Sequence, residues 1–448
     1  MKYNTKTLSN GLRVIHLPST SPVVYCGYQV GVGTRHELPG EEGLAHFCEH
    51  ATFKGTSRRT AIEVINALEG VGGELNAFTT KESTTFYAAV LKSHFDEAVD
   101  LLTDIVFHST YPQDELDREV EVVCDEIESY NDTPSELIYD DFENMVFSGH
   151  PLGHNILGKA EQLRTYTSED LLRFTRRGYR PDNAVFFAYG NLKFEELLDS
   201  LERRTEGVGV NEVLRNLSTL NSPLNDQTTN LPISQTTKRP ISQTTSPLND
   251  QTTSLPNDQP NSSTIVRHLG THQAHVMTGC RTFSFDDERR MPLYLLNNIL
   301  GGPALNARLN LTLRERHGLV YTVESTMTCY SDTGCWSVYF GCDPDDVDKC
   351  RQLVHREMLN MMEQPLTSEQ LRAAKQQLKG QLAIACDNRE QFALDFGKSF
   401  LHKGRERDLD KLMAQIDAIT ADSVLSVARQ VFAPEGLMTL IYDAELLE

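Results

Sequence analysis

The sequence predicts an α+β protein made of two homologous α/β units, and two observations carry that expectation. The first is a stretch that belongs to neither unit. Residues 206–263 are mostly Asn, Gln, Thr, Ser and Pro, with "SPLNDQTT" at 222 and again at 246, and "PISQTT" at 232 and at 240. Such a segment cannot bury enough apolar surface to offset its ordering entropy, so it reads as a disordered linker. Its unit is too short and polar to build a stacked core. The second observation is that the flanking halves share one pattern. "TTFYAAVLKSHFDEAVDLLTDIVF" (84–107) leads to "YPQDEL" and a long helical pattern, and "CWSVYFGCDPDDVDKCRQLVHREML" (335–359) leads to "PLTSEQL" and another. In each, an alternating strand feeds an amphipathic helix, and a Pro with an acidic first turn opens the next helix. The expected domains are therefore 1–205 and 264–448, separated by the 206–263 linker.

Composition narrows the function classes. The 448-residue chain carries a formal net charge of −21, which repels phosphates and argues against a nucleic-acid partner. Apolar runs such as "VVYCGYQVGVG" are too short to span a bilayer, so no membrane association is expected. The first residues, "MKYNTKTLSNGLRVIHL", run into a strand pattern without a charged-then-apolar-then-small signal, and the expected compartment is cytoplasmic. The nine cysteines read as reduced thiols. Cys329, Cys335, Cys342 and Cys350 lack the spacings of a zinc ribbon and are expected in the core.

Along the first half, "GLAHFCEHATFKGT" (43–56) holds the densest chemistry. On a helix over 43–53, His46 and His50 fall within about 40° of each other, with Glu49 on the same side. Leu44, Phe47, Cys48 and Ala51 fall on the other side. Two neutral imidazoles four apart can supply two zinc ligands, and a carboxylate beside them can act as a general base. The competing reading is a polar face satisfied by solvent or by the core, and a third ligand would decide between them. The helix "PQDELDREVEVVCDEIESY" (112–130) offers one. Leu116, Val120, Val123 and Ile127 form its apolar stripe, and Glu119 and Glu126 stack on one edge of that stripe. A carboxylate at a core margin needs a cation or hydrogen-bond donors; a zinc ion or a neighbouring Arg or Lys would serve. Cys48 reads as a packed thiol. His268, His272 and His275 read as the start of a strand rather than a second metal site. In the second half, "RMPLYLLNNIL" has no histidine pair, so the chemistry is not duplicated.

The motif His46-Phe47-Cys48-Glu49-His50, followed by Glu126, resembles that of the inverzincin peptidases, the pitrilysin, insulysin and mitochondrial-processing-peptidase family. "GGELNAFTTKESTTFY", "HPLGHNILG", "YRPDNAVFFAYGNL" and "RERHGLVYTVES" also look like that family, in the family's order. The resemblance spans nearly the whole chain except 206–263, which is long and repetitive for the family, and it fits a bacterial half-length type. It implies two units, each an antiparallel-rich sheet packed with helices, and one Zn2+ per chain held by His46, His50 and Glu126. It implies Glu49 as general base and Glu119 as an acid that orients a ligand. Asn76 and Ala77 match an edge strand that pairs with the substrate backbone. Arg314 and Tyr321 match a pair in the C-terminal unit that clamps the substrate and stabilises the developing oxyanion. Without the resemblance, Arg314 reads as a surface charge and Tyr321 as a half-buried strand residue. The implied protein is a zinc endopeptidase cutting short or unfolded peptides inside a chamber. Two units per chain imply closure by a homodimer or by a heterodimer with a related subunit. The alternatives are a non-catalytic structural or partner subunit, a kind that loses the metal residues this chain keeps, and a regulatory module that binds peptides without turnover.

Shortening residues 222–253 to a Gly/Ser tether is expected to leave melting temperature and peptide cleavage nearly unchanged, because loop-closure entropy grows only logarithmically with length. A large drop in melting temperature would mean that the repeats dock onto a domain.

Overall fold

In the computed structural model, residues 2–208 and 263–443 are described; apart from its two ends, the expected 206–263 linker lies outside them. The first half contributes β1 (Asn4–Thr7), β2 (Arg13–Pro18), β3 (Val23–Val30), β4 (Glu74–Thr79), β5 (Thr84–Leu91) and β6 (Ala184–Gly190). They form one sheet in the order β1-β2-β6-β3-β5-β4. The second half contributes β7 (Ser263–His268), β8 (Ala274–Thr282), β9 (Val320–Cys329), β10 (Gly334–Cys342) and β11 (Met438–Asp443), in the order β7-β11-β8-β10-β9. Without β1 the two orders are the same. In these shared orders the first pair, β2–β6 or β7–β11, is parallel and the remaining pairs are antiparallel, as is the added β1–β2 pair. The duplication expected from the strand–helix pattern is thus present in the topology of an α+β fold.

The first half's helices are α1 (Leu44–Thr52), α2 (Ala61–Glu69), α3 (Phe95–His108), α4 (Gln113–Asn131), α5 (Pro134–Val146), α6 (Ala160–Leu163), α7 (Ser168–Gly178) and α8 (Phe194–Arg204). The second half's are α9 (Arg290–Gly301), α10 (Val347–Glu363), α11 (Ser368–Ala385), α12 (Arg389–Lys403), α13 (Leu409–Ala418) and α14 (Ala421–Val431). Strand alternation decides which side chains meet them. Val24, Cys26, Tyr28 and Val30 of β3 join Phe86, Ala88 and Val90 of β5 in a core with Leu101, Leu102 and Ile105 of α3. In the second half, Val276, Trp336, Val338 and Phe340 pack with Leu296 of α9, Leu353 of α10 and Val427 of α14.

The other face of each sheet is covered by a helix from the opposite half. Ile15, Leu17, Val185 and Phe187 of the first sheet are buried against Phe392, Ala393 and Phe396 of α12. Met277, Tyr339, Leu440 and Tyr442 of the second sheet are buried against Ile138, Phe142 and Val146 of α5. Polar contacts reinforce both exchanges. Gln29 Nε2 donates to the Leu394 carbonyl at 2.8 Å, and Arg13 donates to the Phe400 and Leu401 carbonyls at 3.1 Å each. In return, Arg281 Nε donates to the Val146 carbonyl at 2.7 Å, and Tyr442 Oη donates to Asp141 at 2.6 Å. The tips of two equivalent hairpins, β4–β5 and β9–β10, also meet. Arg35 pairs with Glu82 at 2.5 Å and with Asp332 at 2.7 Å, while the Ser331 hydroxyl donates to Glu82 at 2.6 Å.

The exchange predicts one cooperative unfolding transition. Phe396→Ala removes a fully buried ring from the cover of the first sheet and should cost about 3–5 kcal/mol. In a urea titration, fluorescence of Trp336, which lies in the second half's own core, should shift to lower denaturant together with a probe placed in the first half. Two separated transitions would show that the halves fold independently.

Candidate metal centre

Helix α1 starts where two glycines permit close approach. Gly43 (φ 84°) and Gly158 (φ 74°) are both left-handed, and a Cβ on Gly43 would lie 2.8 Å from the Gly158 Cα. The free N–H groups of the first turn are met by Glu37, which accepts from Gly43 N at 3.2 Å and Ala45 N at 2.8 Å and also contacts His154 Nε2 at 2.9 Å. These contacts satisfy donors that every helix start leaves over. Leu44, Phe47, Cys48 and Ala51 are fully buried, and His46 and Glu49 are nearly so. The helix expected to have a polar and an apolar face is therefore enclosed on almost every side. Burial pushes the Cys48 thiol well up, in keeping with a packed core residue.

Helix α4 lies against α1. Its stripe of Leu116, Val120, Val123 and Ile127 is buried, which turns Glu119 and Glu126 toward the histidines. Glu126 Oε2 is 3.3 Å from His50 Nε2 and 3.9 Å from His46 Nε2. One donor atom from each of these three residues lies within 4.8 Å of the others, and this is the cluster of ligating types that converges among the described residues. Four-coordinate zinc with bonds near 2.0–2.1 Å separates its donors by about 3.3 Å, so the spacing suits one such ion. The donor chemistry suits it too. Burial first, and then repulsion from His50, lowers the His46 pKa to about 4, so its ring is neutral at pH 7. His46 Nδ1 is buried without a hydrogen-bond partner. With the proton on Nδ1, Nε2 turns a lone pair toward a carboxylate oxygen, and two facing acceptors call for a cation between them. At His50 burial disfavours the proton, but the Glu119 and Glu126 carboxylates outweigh it and raise the pKa to about 9.

Glu119 is the junction behind His50. It accepts from His50 Nδ1 at 3.1 Å and pairs with Lys54 at 2.5 Å. Burial pushes its carboxyl up, and these two partners more than reverse that push. For Glu49 burial prevails and raises the pKa, against the hydroxyl of Thr79, which donates to Oε2 at 2.5 Å. Thr79 was not singled out in the sequence; the signal was its place on the same strand face as Leu75 and Ala77.

Asn76 and Ala77 sit in β4, which pairs with β5 on one side and forms the sheet edge on the other; they face Tyr87 and Phe86. Arg314 lies in the short helix Asn310–Arg316, and Tyr321 near the start of β9, the edge of the second sheet. The guanidinium lies 5.4 Å from the Tyr321 ring centroid. Tyr321 is 80 % exposed, not half-buried: it follows the buried Val320 and lies where the β9–β10 register shifts between the Val320–Cys342 and Val323–Phe340 pairs. Among the described residues, no hydrogen bond, ion pair or ring contact joins this pair to His46, Glu49, His50, Glu119 or Glu126. His275 is hydrogen-bonded to Tyr339 Oη at 2.9 Å and forms no metal cluster with His268 or His272. All nine cysteines are unpaired; Cys335, Cys342 and Cys350 are buried as expected, and Cys329 is half-buried. Among the described residues no helix is long and apolar enough to cross a membrane.

A duplicated α+β fold whose first unit alone carries an inverted His-x-x-Glu-His helix, with a distant carboxylate closing on it, defines the architecture of a two-unit metallopeptidase. The chain belongs to peptidase family M16, the insulinase family. The model "Insulinase (Peptidase family M16)" matches residues 13–160, and "Peptidase M16 inactive domain" matches residues 165–378. The chain is 30% identical over 437 residues to an uncharacterised zinc protease of Bacillus subtilis, with 97% of each chain covered. It is 32% identical to one of Mycobacterium leprae, covering 95% of this chain and 88% of the relative. Among solved structures, a protease from Helicobacter pylori superposes with a TM-score of 0.82 at 20% identity, covering 99% of both chains. A peptidase M16 inactive domain from Pseudomonas fluorescens superposes with a TM-score of 0.81 at 17% identity, covering 100% of this chain and 99% of the other. These two likenesses concern the fold.

The geometry separates the two acids of α4. Glu126→Gln is expected to remove most bound zinc, measured by elemental mass spectrometry after dialysis. Glu119→Gln should weaken zinc affinity by only roughly ten- to a hundredfold, as for a group that orients a ligand. Equal zinc contents in the two variants would contradict the assignment.

Proposed function

We propose that this protein is a zinc-dependent endopeptidase that cleaves short or unfolded peptides laid as an added strand along β4. The observation that carries the reading is the convergence of His46, His50 and Glu126, with Glu49 one residue from a ligand and hydrogen-bonded to the last residue of an open edge strand. A zinc ion held by those three residues would supply Lewis acidity toward the scissile carbonyl and toward water. The edge of β4 at Asn76 and Ala77 pairs with the peptide backbone, which asks little of substrate side chains. Glu49 takes a proton from the attacking water, whose oxygen bonds to the carbonyl carbon. As the C–N bond breaks, Glu49 passes that proton to the departing amine. Glu119 keeps the His50 ring oriented.

Residues 1–205 thus form the catalytic domain, and 264–448 carry the clamp. Arg314 and Tyr321 touch nothing of the metal cluster in their own chain, so they serve the site of a second subunit. There the guanidinium and the phenol hold the substrate and stabilise the developing oxyanion. The working particle is a dimer enclosing a chamber, built from two copies or from one copy and a related subunit. Nine unpaired cysteines suit a reducing, cytoplasmic setting.

Two experiments test this. Glu49→Gln should lower turnover by roughly a thousandfold while zinc stays bound; loss of zinc as well would make Glu49 a ligand. Glu49→Gln and Arg314→Ala homodimers should each be nearly inactive. Refolded together they should regain up to roughly a quarter of wild-type activity, since half the randomly mixed dimers carry one intact composite site of two. Mixed dimers without activity would refute the arrangement across subunits.

A further inference from the structure

We propose that Thr79 is the positioning residue of this reaction, its hydroxyl fixing the Glu49 carboxylate relative to the strand on which the peptide lies. The inference rests on Glu49 being the base. Glu49 is 8 % exposed, and its one side-chain hydrogen bond among the described residues comes from Thr79 Oγ1, 2.5 Å from Oε2. A carboxylate turns easily about its last torsion, which has no sharp staggered minima. Apolar walls do not fix that angle, whereas one short hydrogen bond does. With Oε2 occupied, Oε1 keeps its lone pairs for the proton of the attacking water.

Thr79 is itself held firmly. It is β-branched, which restricts its first side-chain torsion. It is the last residue of β4 and pairs with Thr84 across the ladder. The turn beyond it is pinned by Thr80 N to the Ser83 carbonyl at 2.8 Å. Glu82 in that turn is gripped by Arg35 and by Ser331 of the second half. The hydroxyl therefore places the base in the same frame as the Asn76–Ala77 edge. If the strand shifts, the scissile bond and the base move together, and their separation is preserved. Holding reacting groups to such tolerance is worth orders of magnitude in rate. A purely structural Thr79 would instead satisfy a buried carboxylate and contribute only to stability.

The test compares zinc-loaded, full-length wild type, Thr79→Val and Thr79→Ser on a quenched fluorescent peptide that the wild type cleaves. Valine keeps the shape and loses the donor; serine keeps the donor. Thr79→Val is expected to lose roughly ten- to a hundredfold in kcat, with KM within about twofold of wild type and zinc content unchanged. Thr79→Ser should recover most of the loss. A crystal structure of Thr79→Val should show the Glu49 carboxylate in more than one orientation. The inference is overturned if kcat stays within about twofold, if the loss lies in KM or in zinc content, or if serine is as slow as valine. If the wild type cleaves no peptide at all, the peptidase reading fails instead. The crystal structure then still decides on Thr79, since a single unchanged Glu49 orientation would refute its positioning role.

Discussion

Three ionisable side chains on one buried helical turn set the terms for this molecule. Enclosing α1 leaves His46 and Glu49 nearly buried and His50 half-buried, where water stabilises their charged forms poorly, and such groups are costly unless paired. The surrounding structure answers that cost residue by residue. His46 stays neutral, His50 is flanked by two carboxylates, and Glu119 is tied to Lys54. Glu49 receives the Thr79 hydroxyl. The length of α4, the course of β4 and the two glycines at the start of α1 all serve to bring these partners within reach.

The second unit shows what the same topology does without that demand. There α9, the counterpart of α1, spends its polar groups on packing. Asn297 accepts from Trp336 Nε1 at 3.0 Å and donates to the Ser325 carbonyl of β9 at 3.1 Å. A helix-to-edge-strand contact therefore exists in both units. In one it braces a tryptophan in the core; in the other it links an acid to the edge strand. The fold supplies a position next to an open strand, and the side chains determine its chemistry.

Local periodicity made the helix over 43–53 and the apolar stripe of α4 legible in the sequence, because spacing alone decides which side chains share a face. The matching strand–helix patterns at 84–107 and 335–359 foretold the duplication for the same reason. What spacing cannot say is which surface a face will meet. The stripe of α5 predicts burial but not that its partner is the second half's sheet, and α12 is the mirror case. Thr79 looked like any strand threonine, since its partner lies 30 residues away and is fixed only when β4 packs on α1. The open edge of β4 and the Arg314–Tyr321 pair were accessible only through the family resemblance. Tyr321 fell outside the ordinary burial expectation because it sits at the register shift of an edge strand, next to the buried Val320, and spacing does not reveal such an irregularity.

The crossed helices α5 and α12 make the two halves a clasp rather than a pair of beads. Separating them would lay bare an apolar face on each sheet at the same moment, so neither face can be released first at low cost. A nick between residues 208 and 263 would leave a particle still held shut by its own fragments. The covalent connection then governs how often the halves meet, and the clasp governs how long they stay. The two halves written as separate genes would, on this account, specify the same assembled molecule.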